Sequence, residues 1–358
     1  MTQHHQTPFE RFIERARRFC YEDYARNFGG IPEHVGDMLA SQPAQALLVG
    51  ARRHLEEAEP LPWGEPRLRR LEFGRVDDAP EFLNGDVAAV DGTLPLPLQS
   101  YSVGQAICVG IVSASLRREP TESAHCVTAA MLMDPQASTA GDAVAARDTI
   151  RHGLNATAFM RYFETLHALE IPERYVFLDG TLLYEWHLSQ VVTGDLYRQL
   201  FERKVPMGII KSIHDSNRLG YIGAVLEPGE VYIDQTVADH IAGEAETLRE
   251  FTRRDPQFVV PALRPLTHEV WRGVFKPRHK AFGFEVHREH LEDMLRIAAA
   301  SAHLDQLGHE IPYLLNLVDV EVRTRFGRRL LDQRLRQVLA ERGLQSYFEE
   351  LDERELRD

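Results

Sequence analysis

An α/β fold, a mixed sheet with flanking helices plus a helical N-terminal arm and a helical C-terminal region, is predicted by three observations. Three consecutive runs, DVAAVDG, SVGQAICVGIVSAS and HCVTAAMLM, are rich in valine, isoleucine, alanine or cysteine and read as strands joined by short links. Two further apolar runs, YVFLDG and VPMGIIKS, read as buried strands and alternate with segments of helical period. The chain of 358 residues, 44% hydrophobic, is long enough to bury a sizeable core.

Each element has its own signal. Thr7-Pro8-Phe9-Glu10 supplies a capping threonine, proline at the first helical position and glutamate three residues after the cap. Phe9, Phe12, Ile13, Ala16 and Phe19 then share one helix face, and a second helical stretch runs from Pro43 to Glu59. LPWGEP breaks the pattern and marks the boundary between a helical arm, 1–60, and a main domain, 61–345, with an acidic tail at 346–358. Within the main domain the three strands predict an antiparallel meander. Asp142 to Leu169 follows as a helix, with Ile150, Leu154, Ala158 and Leu166 on one face, and Gln190 to Arg203 is the helix between YVFLDG and VPMGIIKS. Strands, helix, strand, helix, strand is the order of an RNase H-like α/β domain, whose mixed sheet is covered by helices. YIGAVLEPGEVYID and VWRGVFKPRHKAFGFEVH have the alternation and turn residues of further strands. His290 to Leu307 reads as a helix, and the chain is helical again from Pro312 to Ala340. Neither a solenoid repeat nor a low-complexity linker is visible.

Composition narrows the function classes. A formal net charge of -13 argues against coating nucleic acid by bulk electrostatics, although Arg264 to Lys280 carries Arg264, Arg272, Lys276, Arg278 and Lys280 and offers a basic local surface. The longest apolar run, Ala106 to Ala114, is far below the roughly 20 residues that span a bilayer. The start MTQHHQTPFER lacks a signal-peptide core, which places the chain in the cytoplasm with no membrane partner. Cys20, Cys108 and Cys126 suggest neither a disulfide framework nor a zinc site, and Cys108 and Cys126 read as buried free thiols. The 16 histidines form no compact ligand pattern, and Trp63, Trp186 and Trp271 are too scattered for a base-stacking platform, so packing is their expected role.

The chemistry sits in a repeated ending. VAAVDGT and FLDGT each close an apolar run with Asp-Gly-Thr, at Asp91 and Asp179. One such dipeptide is ordinarily a tight turn. Two of them, on strands of one sheet, deliver carboxylates to the same edge, with glycine leaving room for close approach. Adjacent aspartates resist ionising unless a cation compensates them, and a hard divalent metal does so. Such a metal activates water and neutralises charge developing on a phosphate, chemistry that needs no nucleophilic side chain. Gly-x-Ser-x-Gly, P-loop and His-Glu-x-x-His patterns are all absent from the sequence. Lys211 ends the buried run GIIKS, where its amine either meets a phosphate or site carboxylate or reaches solvent along a packed stem. HDSNRL follows with Arg218, as a substrate-facing loop would.

These landmarks, in order, resemble the NurA nucleases, which partner the HerA helicase-translocase in DNA end processing. VAAVDGT is similar to the family's first Val-Asp-Gly-Ser/Thr, FLDGTLL to its Leu-Asp-Gly-Ser-Leu, and MGIIKSIHDSNRL to its Gly-x-x-Lys segment. FKPRHKAFGFEVH, a helix and GHEIPYLLNLVDVEVR resemble the closing part, so the likeness spans roughly Asp86 to Arg325. The resemblance implies an RNase H-like core, a homodimer with a central channel, and endo- and exonuclease activity on DNA with Mn2+ or Mg2+. It also implies docking on a hexameric HerA-like ATPase. Carried over, Asp91 and Asp179 bind metal, Lys211 is a site lysine, and Tyr313 falls in the C-terminal active-site motif.

The chain departs from the family at two positions. Asn155 stands where the family has a glutamate after Arg-x-x-Leu; its amide oxygen can still ligate a metal, with less charge. Glu164, two turns along, is a candidate to compensate, although the helix reading makes it a surface residue. Asp319, after Val318, stands where Ala-His is usual, as a further ligand or a helical surface acid. Two other functions fit the same residues. A scaffold capping a HerA ring would tolerate both departures, and an ATP-binding phosphotransferase on an RNase H-like core would use Asp-Gly-Thr loops to cradle phosphates.

Overall fold

The apolar runs lie side by side in one sheet. The computed structural model describes residues 37, 40–71, 76–101, 104–120, 124–132, 156–183, 191–213, 217–243, 259–304, 310–327 and, between 333 and 343, residues 333, 334, 337, 338 and 340–343. Its strands are β1 (Leu68–Arg70), β2 (Val87–Tyr101), β3 (Gly104–Ser115), β4 (Ala124–Leu132), β5 (Tyr175–Asp179), β6 (Val205–Ile210), β7 (Glu230–Thr236), β8 (Val270–Lys276) and β9 (Phe282–His287). The helices are α1 (Gln42–Glu56), α2 (Pro80–Leu83), α3 (Ala156–Glu170), α4 (Val191–Arg203), α5 (Asn217–Val225), α6 (Arg264–Glu269), α7 (Leu291–Ala302) and α8 (Tyr313–Arg325). Among the described residues no helix is long and apolar enough to cross a membrane.

The chain divides into two compact units, Met1–Glu57 and Ala58–Asp358. In the first, α1 buries Ala51 and Leu55, and Arg52 pairs with Glu56 one turn on. The expected helix from Thr7 lies outside the described residues. In the second, the strand order is β1-β7-β8-β9-β6-β5-β2-β3-β4. β2, β3 and β4 form the antiparallel meander, while β5 runs parallel to β2 and β6 parallel to β5. The five strands β4-β3-β2-β5-β6 therefore have the RNase H-like arrangement expected from the element order. β9, β8, β7 and β1 extend it, each antiparallel to its neighbour.

Both faces of the central strands are covered, which is why their sequences are apolar on both parities. Ala88, Val90, Val176 and Leu178 pack with Ala168 and Leu169 of α3 and Tyr197 and Leu200 of α4. Ala89, Phe177, Met207 and Ile209 pack on the other face with Leu295 and Ala298 of α7 and Leu314, Leu315, Val318 and Val322 of α8. Burying one such large side chain contributes roughly 1.5–3 kcal/mol.

Several expectations change. Tyr221–Val225, expected in a strand, is the end of α5; the chain reverses through the Glu227–Glu230 turn before β7 begins. Helix α7 stops at Ala302. Cys108 is buried as expected, but Cys126 is exposed on β4; both are free, with Sγ atoms 3.1 Å apart. Burial, with the neighbouring Cys126, pushes the Cys108 thiol up to about 12. Trp63 stacks edge-on against Trp271 with ring centroids 4.9 Å apart, a packing role, while Trp186 lies outside the described residues.

Candidate metal centre

Pairing between β2 and β5 ends at Val90 opposite Leu178, so Asp91 and Asp179 are the next residue on each of two adjacent parallel strands. By the period of two they share a face with Ala89 and Phe177, the face that α8 covers. Lys211, just beyond β6, follows Met207 and Ile209 on that same parity. Asp319 comes down from α8, one helical turn after Leu315 and beside Val318.

The side chains meet. Ligand oxygens of Asp91, Asp179 and Asp319 all lie within 4.8 Å of one another. Lys211 Nζ stands among them, 2.8 Å from Asp179 Oδ2, 2.5 Å from Asp319 Oδ1 and 3.8 Å from Asp91 Oδ2. Arg323 adds a second cation to Asp319 at 2.9 Å from an exposed position. The Lys211 ammonium is thus held inside an acidic cluster, and the alternative of an amine reaching solvent is not realised. Burial alone would lower its pKa, but the Asp179 and Asp91 carboxylates outweigh burial and raise it.

Helix α3 approaches the same strand ends from the opposite face of the sheet. Glu164, expected on the surface, is 1% exposed. One of its oxygens accepts from Arg161 at 2.9 Å; the other, Oε1, is buried with no hydrogen-bond partner. Arg161 also donates to the Asp179 carbonyl. The two glycines of the repeated motif explain this approach. A Cβ on Gly92 would stand 2.6 Å from Glu164 Oε1, and one on Gly180, whose φ is +83°, would collide with the Arg161 guanidinium. Side chains at either position would expel the α3 residues from the cluster.

Burial and then the Asp179 carboxylate push Asp91 well above the usual carboxylate range, against the pull of Lys211. Burial likewise raises Glu164, opposed by Arg161 and reinforced by Asp179. A further cation beside these carboxylates would favour the ionised forms of Asp91 and Glu164 that burial disfavours. Hard oxygen donors with one orphaned buried carboxylate oxygen suit Mg2+ or Mn2+ rather than a softer ion.

Not every expected residue joins. Asp91 does not end its strand at a turn; β2 runs on through Gly92 and Thr93 to Tyr101, still paired with β3. Arg218 forms a bidentate pair with buried Asp234, at 2.6 and 2.5 Å, rather than entering the cluster. Tyr313 is exposed in the first turn of α8, with no hydrogen bond or ion pair to the cluster. Asn155 lies outside the described residues. Sequence reasoning underrated Glu164. Its position three residues after Arg161 and on the α3 face that carries Ala168 was the available signal.

No family model and no curated protein matches the chain. Among solved structures it is similar to the NurA nuclease from Sulfolobus solfataricus, at 11% identity and TM-score 0.37, covering 70% of this chain and 84% of that one. NurA bound to dAMP and manganese is similar at 9% identity and TM-score 0.39, covering 85% and 94%. Endonuclease V from Bacillus subtilis is similar at 12% and 0.33, covering 80% and 91%. All three TM-scores are below 0.5, so the functional reading is carried by the chain's own residues.

Proposed function

We propose that this protein is a metal-dependent DNA nuclease. The observation that supports the reading best is the cluster of Asp91, Asp179 and Asp319 beside the unpartnered buried oxygen of Glu164. In this reading the three aspartates hold Mn2+ or Mg2+, and Glu164 supplies a further oxygen. When bound, the metal activates water and offsets charge developing on the phosphodiester. Lys211, kept charged by its carboxylate neighbours, binds a phosphate oxygen at the mouth of the cluster. Arg161 holds Glu164 and the Asp179 backbone in place. Tyr313, exposed in the first turn of α8, contacts the DNA beyond the reacting phosphate, and Asn155 lends its amide oxygen as a further ligand.

The sequence resemblance extends the proposal. The chain is a homodimer in the cytoplasm that acts in DNA end processing, repair and resection, with a HerA-like hexameric ATPase. Where 1–60 is the arm and 346–358 the acidic tail, the nuclease domain is 61–345. The phosphotransferase alternative is weakened because β2 passes straight through Asp91-Gly92-Thr93, leaving no loop there to wrap ATP phosphates.

The testing experiment is cleavage of labelled single- and double-stranded DNA in Mn2+, Mg2+ or EDTA, with Asp91→Asn in parallel. Metal-dependent cutting lost in the variant supports the reading. Intact DNA with both proteins, even with a HerA-like ATPase present, supports the scaffold instead.

A further inference from the structure

The segment after Asp179 is held by a strand two places away. It folds back over β6, and a Cβ on Gly208 would lie 2.6 Å from both the Gly180 carbonyl oxygen and the Leu182 amide nitrogen. Gly180 N donates to Ile209 O at 2.7 Å. Beyond Gly208, its cross-strand partner on β9 is Glu285. Glu285 is 1% exposed, and its Oε2 accepts from the amides of Leu182 at 2.8 Å and Leu183 at 3.1 Å. Its other oxygen lies 3.0 Å from Arg272 Nε, and Arg272 is its register partner on β8.

A carboxylate in the middle of FGFEVH is costly to bury, since an apolar residue at that position would pack without loss of hydration. Two backbone amides that no strand partner reaches and a cation placed opposite offset that cost, while Arg272 Nε and Nη1 themselves make no hydrogen bond. The amides belong to the residues three and four positions after Asp179, and the intervening Gly180 has a φ of +83°, in the left-handed region. We propose that Glu285, neutralised by Arg272, is a positioning residue that fixes Asp179 in the acidic cluster and so sets the cluster's affinity for a divalent cation. The inference rests on the reading of that cluster as a metal site.

Three variants of the full chain test it, read by calorimetric Mn2+ titration, by hydrogen exchange at Leu182 and Leu183, and by kcat against KM for DNA. Glu285→Asp keeps the charge beside Arg272 and shortens the reach to the two amides. Arg272→Leu with Glu285→Leu removes both charges and the acceptor at similar volume, and Arg272→Leu with Glu285→Gln removes the charges but keeps an acceptor oxygen. Glu285→Asp and the double leucine variant weaken Mn2+ binding about 10- to 100-fold, the range seen when partners behind metal ligands are removed. They lower kcat with KM for DNA unchanged, and both amides exchange faster. The glutamine double variant recovers most of the affinity. Wild-type Mn2+ affinity in Glu285→Asp, with Leu182 and Leu183 exchanging freely, would overturn the role of Glu285. Asp179→Asn run alongside separates the two claims: if it binds Mn2+ like wild type the cluster reading itself fails, whereas a weakened Asp179→Asn beside an unaltered Glu285→Asp removes only Glu285.

Discussion

Glu164 packs against Gly92: its Oε1 lies 2.6 Å from where a Cβ on that glycine would be. The residue after the first aspartate therefore has to be glycine for the α3 carboxylate to come in. The repeated Asp-Gly is thus less a turn signal than a spacing device, at Gly92 for Glu164 and at Gly180 for Arg161.

Glu164→Gln keeps the shape and the Arg161 contact while removing the charge. Mn2+ affinity falls about 10-fold or more, as for other weakened oxygen ligands and their partners, with the fold retained. A calorimetric titration checks this; a surface glutamate would give no change.

Gly180→Ala places a β-carbon at φ +83° and against Arg161. The expected cost is about 1–3 kcal/mol in urea unfolding, together with weaker Mn2+ binding as Arg161 is displaced from the Asp179 carbonyl. Gly64 also has φ +90° but meets nothing within 4 Å, so Gly64→Ala serves as the control that has backbone strain without the collision.

Asp91→Asn relieves the metal-free protein. Because burial and Asp179 raise the Asp91 pKa, its ionised form destabilises the fold at neutral pH, and that penalty fades as pH falls and the carboxyl protonates. The variant melts at or above the wild-type temperature in EDTA, yet gains nothing from Mn2+. Wild type gains about 2.7 kcal/mol at a metal concentration 100 times its dissociation constant. Thermal melts with and without Mn2+ make the comparison.

His167 gives the fold a pH dependence of its own. Its Nε2 is 2.9 Å from Ser113 Oγ, both side chains are buried, and burial, helped by His125 and Arg118, lowers its pKa to about 4. The unfolded chain takes up this proton near pH 6.5 and the folded one only near 4, so stability present above 6.5 is lost as pH falls through that window. The loss is at most ~1.4 kcal/mol per pH unit from this group. Urea titrations between pH 7.5 and 4.5 show the wild type losing more than His167→Gln does.

The strands and their order were readable because buried strands of a covered sheet are apolar on both parities. Asp91, Asp179 and Lys211 were readable for the same reason, being charged residues at the ends of such runs. Glu164 was not, because a helix period says which face is apolar and not that a carboxylate on its margin is roofed by two glycine positions of the sheet. Tyr221–Val225 misled because its short apolar run fits a strand or a buried helix alike, and only packing of α5 on β8 decides. Arg218 reads as a phosphate contact until Asp234, buried at the far end of YID, is seen to claim its Nε and Nη2. Glu285 is visible in FGFEVH as an acid in an apolar strand, but its partners Leu182 and Leu183 are about 100 residues away in the chain.

The most direct test is Mn2+ titration of the wild-type protein and of the Asp91→Asn, Asp179→Asn double variant, followed calorimetrically in the absence of DNA. Saturable binding to the wild type that vanishes in a folded double variant is the predicted result. Equal binding by both proteins, or none by the wild type, would contradict the assignment of this cluster as the metal centre.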